Sequence, residues 1–252
     1  MTFRDSLDRH ELSLKYQPIV DLTSGSVTSV EALLRNDGTA SAKTLAETAE
    51  RNDDHFELDR FIVRTACRDA ASWRANGLSH LSVHVNVSAR ELEGDAFLAL
   101  VDDALSETGL DPGALQIEIT ETSAIGDLAR GRAILESIKA RGAGVWLDDF
   151  GTGHSSLAWL NHLGVDGLKL PKELISGARE SSRQGAIVGA MVRLAHELSI
   201  FVIAEGVECA EEVEFLRTAG CDAMQGFYLA EAVSANELFA VVGRRRGVIR
   251  GR

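Results

Sequence analysis

Glu31, Asn86, Glu118, Asp148 with Asp149, Lys169, Glu205 and Gln225 recur along the chain at or near the ends of short apolar runs. Five of these residues are carboxylates. If they meet in one cleft, they cannot all stay ionised without cations. They are hard oxygen ligands, Asn86 adds a neutral oxygen, and no cysteine or histidine cluster competes with them. That chemistry suits Mg²⁺ or Mn²⁺ rather than a thiolate zinc site. The set is large enough for two ions roughly 3.5–4 Å apart, an arrangement used to attack phosphodiesters. The adjacent acids in "VWLDDFGTGHSSL" then read as a metal hinge, because two charges at the end of a buried run are costly unless a cation meets them.

Each residue alone has a plainer explanation. A strand-end glutamate is ordinarily a solvated rim residue, a lone lysine a surface charge, and Gln225 a loop contact. Asn86 with Ser88 also fits a glycosylation acceptor, a chance match in a cytosolic chain. The joint pattern decides against these readings, because one chemistry recurs at one end of successive runs. His84 lies one inward step below Asn86 and reads as a hydrogen-bonded core histidine. His154, after the Gly-Thr-Gly turn, reads as a ligand contact or a cover for that loop.

The elements that must position these residues alternate. Strand-like runs fall at 14–20, 27–35, 81–87, 115–120, 144–150, 167–170, 201–207 and 223–227. Helical spacing of apolar residues covers 55–75, 94–108, 128–141, 184–198 and 209–219, with breakers at Gly77, Gly109, Gly142 and Gly220. Only "DLTSGS" separates the first two runs, which predicts a hairpin. The later runs follow a strand-then-helix rhythm that implies right-handed crossovers and a parallel sheet. The expected fold is α/β, a modified TIM-type (β/α)8 barrel with an irregular, hairpin-like first strand; its strand C-terminal ends meet on one face. In "SVHVNVS", Val83, Val85 and Val87 share one side while His84 and Asn86 share the other; Glu118 likewise opposes Ile117 and Ile119. The polar members are expected to face the barrel mouth. Ile187, Val188, Met191, Leu194, Ala195 and Leu198 form a stripe expected to pack a helix on the barrel wall.

The 252 residues fit one such barrel, assigned to 1–243, with a basic tail at 244–252 read as a disordered, solvated end. A net charge of −12 argues against a nucleic-acid polymer as partner. No run approaches the ~20 apolar residues of a membrane helix. The N-terminus lacks a signal-peptide core, so the expected location is cytoplasmic. Cys67, Cys209 and Cys221 read as free thiols.

"VEALLR" at 30–35, "VNVS" at 85–88, "IEITET" at 117–122, "LDDFGTGHSSL" at 147–157, "GLKL" at 167–170, "AEGVE" at 204–208 and "QGF" at 225–227 resemble, in order, the motifs of the EAL family of cyclic di-GMP phosphodiesterases. The resemblance spans about 14–230. It implies metal-dependent hydrolysis of cyclic di-GMP to linear pGpG. It implies Glu31, Asn86, Glu118, Asp148, Asp149 and Glu205 as metal ligands, two Mg²⁺ or Mn²⁺ ions, and Lys169 as the lysine acting on the attacking water. Glu31, Asp148, Asp149 and Glu205 thereby count with Lys169 as catalytic. Arg35, Gln225, Gln17 and Leu33 are the implied substrate-binding positions. Glu121 and Glu208 are shell glutamates, Glu121 holding the loop "DFGTGHSS". A homodimer through the helix after the fifth strand is also implied; Trp159 is its interface candidate because it sits off the stripe of Leu157, Leu160 and Leu163, of which Leu157 and Leu160 are expected to pack the helix on its own barrel. Regulatory domains or protein partners would lie outside this chain.

The chain departs from the family pattern at three places. Pro171 stands where the family has an aspartate two residues after the lysine, Asn36 replaces the tryptophan after the EAL arginine, and the usual prolines near 36–45 and after "QGF" are missing. The first departure makes a weakly catalytic receptor the main alternative, with an EAL-like interaction module behind it.

Overall fold

The structure is a computed structural model that describes residues 3–38, 41, 44–45, 48–49, 54–87, 95–120, 128–151, 160 and 164–244. Eight strands close into one barrel: β1 (Leu12–Asp21), β2 (Val27–Asn36), β3 (Ser82–Asn86), β4 (Leu115–Thr120), β5 (Gly144–Asp148), β6 (Gly167–Leu170), β7 (Phe201–Ala204) and β8 (Ala223–Gln225). The strands from β2 to β8 pair in parallel, whereas β1 runs antiparallel to both β2 and β8. The expected barrel and its hairpin-like start are therefore both present.

The hairpin turn is set locally. The Asp21 side chain accepts from the Ser24 amide at 2.6 Å, and Gly25 takes the left-handed φ of 70° that a bulkier residue resists. The β2–β3 register ends at Ala32 opposite Val85, while the β1–β2 register continues to Asn36 opposite Leu12. The end of the hairpin thus rises beyond the barrel, and Glu31 lies mid-strand at the mouth rather than at a strand terminus.

Helices cover the outer face. Among the described residues these are α1 (Phe3–Asp8), α2 (His55–Ala75), α3 (Asp95–Thr108), α4 (Leu128–Ala140), α5 (Lys172–Glu180), α6 (Ser182–Glu197), α7 (Ala210–Ala219) and α8 (Leu238–Arg244). Helix α2 buries Leu58, Ile62, Ala66, Ala70 and Trp73 at helical spacing. Trp73 meets Tyr16 of β1 edge-on, with ring centroids 4.5 Å apart, and Tyr16 donates its hydroxyl to Asp69 at 2.5 Å. The outward Val83, Val85, Ile117 and Ile119 are buried under the helices, as alternation predicts.

Two points differ from the expectation. Helices α1, α5 and α8 are short and lack a long apolar period. On α6, Val188, Val192 and Ala195 are buried and Met191 and the capping Leu198 pack beside them, while Ile187 is 45% exposed. Positions 188, 192 and 195 form a narrow face, and 187 lies a quarter-turn off it. Leu160 is buried in its own chain, as expected, whereas Leu157, Trp159 and Leu163 lie outside the described residues, as do His154, Glu121 and the tail over 245–252. Cys67 and Cys221 are buried and free, and burial pushes both thiols up to about 12. No described helix is long and apolar enough to cross a membrane.

Below the mouth, the interior is filled by Ile19, Trp146, Ile203 and Ala223. Gly167 makes room for the indole: a Cβ there would lie 2.2 Å from the Trp146 ring. Gly167→Ala should therefore lower stability by about 1–3 kcal/mol through overpacking. The urea midpoint measures this, and an unchanged midpoint would show that Trp146 has room to move.

Candidate active site

Every strand sends one polar side chain to the mouth. Gln17 (β1), Glu31 (β2), Asn86 (β3), Glu118 (β4), Asp148 (β5), Lys169 (β6), Glu205 (just after β7) and Gln225 (β8) form one connected network. Lys169, fully buried, is its hub. Its Nζ lies 2.6 Å from Glu205, 3.0 Å from Glu118, 3.2 Å from Glu31 and 3.7 Å from Asp148. Glu31 also accepts from Asn86 Nδ2 at 2.7 Å and from Gln225 Nε2 at 2.6 Å. Gln225 Nε2 reaches Gln17 Oε1 at 3.0 Å as well.

The paired acids are explained by the backbone. In a regular strand Asp148 and Asp149 would face opposite ways. Asp149 instead adopts a left-handed φ of 55°, a region that aspartate tolerates better than most residues. The strand breaks there, and both carboxylates turn to the same mouth. One oxygen from each of Asp148, Asp149 and Glu205 lies within 4.8 Å of the others.

One ammonium cannot balance this much negative charge, so the acids respond unequally. Burial would raise Glu31, but Lys169 and the hydrogen bonds from Gln225 and Asn86 outweigh it and hold its carboxyl below the usual range. Burial keeps Glu118 well above that range despite Lys169, with Glu31 and Asp148 adding to the rise. Burial also pushes Glu205 up to about 8. Asp149 is raised by burial and by the neighbouring Asp148. Lys169 stays firmly protonated, because the surrounding carboxylates overcome the cost of its burial.

His84 is a core residue hydrogen-bonded through Nδ1 to Glu118 Oε1 at 2.8 Å. Burial, then Lys169, lowers its pKa to about 3, so it remains a neutral imidazole. Its ring packs edge-on against Trp146 at 4.7 Å. Both Glu118 oxygens are thus engaged, one by His84 and one by Lys169. Alternation places His84 inside the barrel, but its partner is 34 residues away and nothing local in the sequence names it.

The remaining expected positions are spread more widely. Glu208 lines the cavity above the network and pairs with Lys172 at 2.6 Å, a partner not anticipated from sequence. Arg35 and Leu33 stand half-buried on the raised hairpin, with Arg35 donating to the Leu34 carbonyl at 2.8 Å. Of the implied metal ligands, Glu31, Asn86, Glu118 and Glu205 are all held by protein groups, and Glu205 also joins Asp148 and Asp149 in the acidic cluster.

This cluster fits a divalent cation. Its donors are all carboxylate oxygens, as hard cations prefer. The buried Oε1 of Gln225 has no hydrogen-bond partner among the described residues. The amide cannot usefully flip, since its nitrogen already serves Glu31 and Gln17. An acceptor is therefore left for a bound water or ligand.

The charge imbalance gives a sign for stability against pH. A carboxyl raised from its ordinary 4.5 to about 8 in the fold contributes stability that is fully present below about 4.5 and lost as pH rises through about 8. In chelator, the urea midpoint should fall between about pH 4.5 and about pH 8, and Glu205→Gln should flatten that fall. An equally steep fall in the variant would assign the effect elsewhere.

The chain matches the EAL domain family over residues 2–232. It is 35% identical over 243 residues to the bifunctional diguanylate cyclase/cyclic di-GMP phosphodiesterase MucR of Pseudomonas aeruginosa, a match covering 95% of this chain and 36% of MucR. The cyclic di-GMP phosphodiesterase NbdA of the same species is 35% identical over 228 residues, covering 89% of this chain and 29% of NbdA. The chain thus spans about a third of the length of these curated relatives. Among solved structures, a MucR phosphodiesterase in complex with c-di-GMP is similar at a TM-score of 0.89 and 34% identity, covering 93% of this chain and 97% of that one. With the motifs in family order on a closed barrel and the match running over nearly its whole length, this chain belongs to the EAL domain family.

Proposed function

We propose that this chain hydrolyses cyclic di-GMP to linear pGpG, using two divalent ions, Mg²⁺ or Mn²⁺, at the barrel mouth. The observation that carries this reading is the convergence of Asp148, Asp149 and Glu205 beside a network drawn from all eight strands. A cavity of about 300 Å³ opens onto it, lined among others by Gln17, Glu31, Gln225 and Phe227. Similarity to phosphodiesterases that act on cyclic di-GMP supports the choice of substrate.

When bound, the ions would make water nucleophilic at neutral pH and offset the charge that builds on phosphorus. The chain's own groups hold the geometry. Glu31 is fixed by Asn86, Gln225 and Lys169. Lys169, as a permanent ammonium, fixes Glu118 and Glu205 and offers hydrogen bonds rather than acting as a base. Gln225 keeps a free acceptor at the cavity wall, and Arg35 is the proposed phosphate contact from the hairpin.

Chelation with EDTA should abolish pGpG release, and Mg²⁺ or Mn²⁺ should restore it. Full activity in excess chelator would end the metal-dependent reading. Glu31→Ala removes the acceptor shared by three donors and should cost about a thousandfold in rate.

A second reading, binding with little turnover, rests on Pro171. This buried residue caps α5 in an extended conformation, φ −69° and ψ 159°, where the family pattern would place a carboxylate. Pro171→Asp should raise the rate of pGpG release while leaving affinity for cyclic di-GMP within a few-fold. An unchanged rate would show Pro171 to be neutral for the chemistry.

A further inference from the structure

We infer that Lys172 is a substrate-binding residue, a phosphate contact at the rim of the cavity held ready by Glu208. This rests on the reading of the cavity as a cyclic di-GMP site. Lys172 is the only cation among the described residues that line the cavity, whose wall also carries Glu31, Asp148, Glu205 and Glu208. A dinucleotide bearing two phosphodiester charges must approach this acidic wall. A rim cation lowers the electrostatic cost of that approach and helps fix orientation.

Lys172 is held as a site residue would be. It follows Pro171 directly, as the first residue of α5. Its stem lies over Gly206, the residue after Glu205. A Cβ on Gly206 would sit 2.5 Å from Lys172 Cβ and 2.7 Å from its Cγ, and Gly206 has a left-handed φ of 64°. The glycine therefore gives the lysine stem its path across the rim. At the end of that path the ammonium meets Glu208 Oε1 at 2.6 Å. A cation in the first turn of a helix is where the helix dipole least favours one. Stability alone would prefer an acid there, as Glu173 in the same turn illustrates.

Lys172 and Glu208 are both about half exposed, so the pair is open to exchange with solvent and ligand. The ammonium has three donors and Glu208 takes one of them, so a phosphate oxygen can be added beside the carboxylate. Binding would add phosphate at Nζ while Glu208 keeps its contact, with no covalent bond made or broken.

The test measures Kd for cyclic di-GMP by calorimetry, and KM and kcat by pGpG release, with Mn²⁺ present throughout. Lys172→Gln should raise Kd and KM by about tenfold, the loss of one charge-assisted contact, with kcat changing less than KM. Lys172→Arg, which keeps the charge, should stay within about threefold of wild type. Added KCl should weaken binding by wild type more than by Lys172→Gln. Unchanged Kd and KM in Lys172→Gln overturn the assignment and leave the lysine a surface ion pair. A wild-type protein that binds no cyclic di-GMP overturns the underlying reading as well, and the wild type alone reveals that case.

Discussion

Four carboxylates around one buried ammonium are the constraint on which the rest of this fold depends. Lys169 sits on β6, and its partners Glu31, Glu118, Asp148 and Glu205 come from β2, β4, β5 and the end of β7. These strands bring their acids to one point only when the barrel closes in the observed register. A one-residue slip in any strand would turn its acid outward, against the helices. Strand register and charge balance are therefore a single problem here, solved together. Burying Lys169 without these partners would cost far more than the fold could offset.

The reversed first strand serves the same balance. Because β1 is antiparallel to both neighbours, Gln17 lies directly opposite Glu31, and Ile19 opposite Gln225. Gln225 then bridges Gln17 and Glu31 with one nitrogen. Glu31, which burial alone would keep protonated, gains enough donors to stay charged. The raised end of the hairpin also carries Arg35 and Leu33 above the mouth rather than into the network.

Much of this arrangement is legible in the sequence, for a physical reason. Period-two alternation and glycine breakers are local signals, so the strands, the hairpin and a helix over 55–75 follow from short windows of residues. The inward polar residues follow from the same alternation. What could not be read depends on contacts distant in sequence or on backbone departures. The left-handed turn at Asp149 violates the alternation that located its neighbour. The pairing of His84 with Glu118, and of Lys172 with Glu208, joins separate elements. Helix α5 is short and follows a proline cap, so its apolar period is too brief to stand out. The exposure of Ile187 reflects how narrow a face of α6 the barrel wall accepts.

The layer of Ile19, Trp146, Ile203 and Ala223 has a further consequence. It closes the barrel beneath the polar network, with Trp146 anchored through its Nε1, which donates to Gln116 at 2.7 Å. With that floor in place, the described residues leave the cavity open at the mouth. In a chain that hydrolyses its ligand as proposed, a spent molecule would leave by the route the next one arrives on, so its dwell time would count directly against throughput. Traffic through the opening, as well as the chemistry inside, would then set the pace of the cycle.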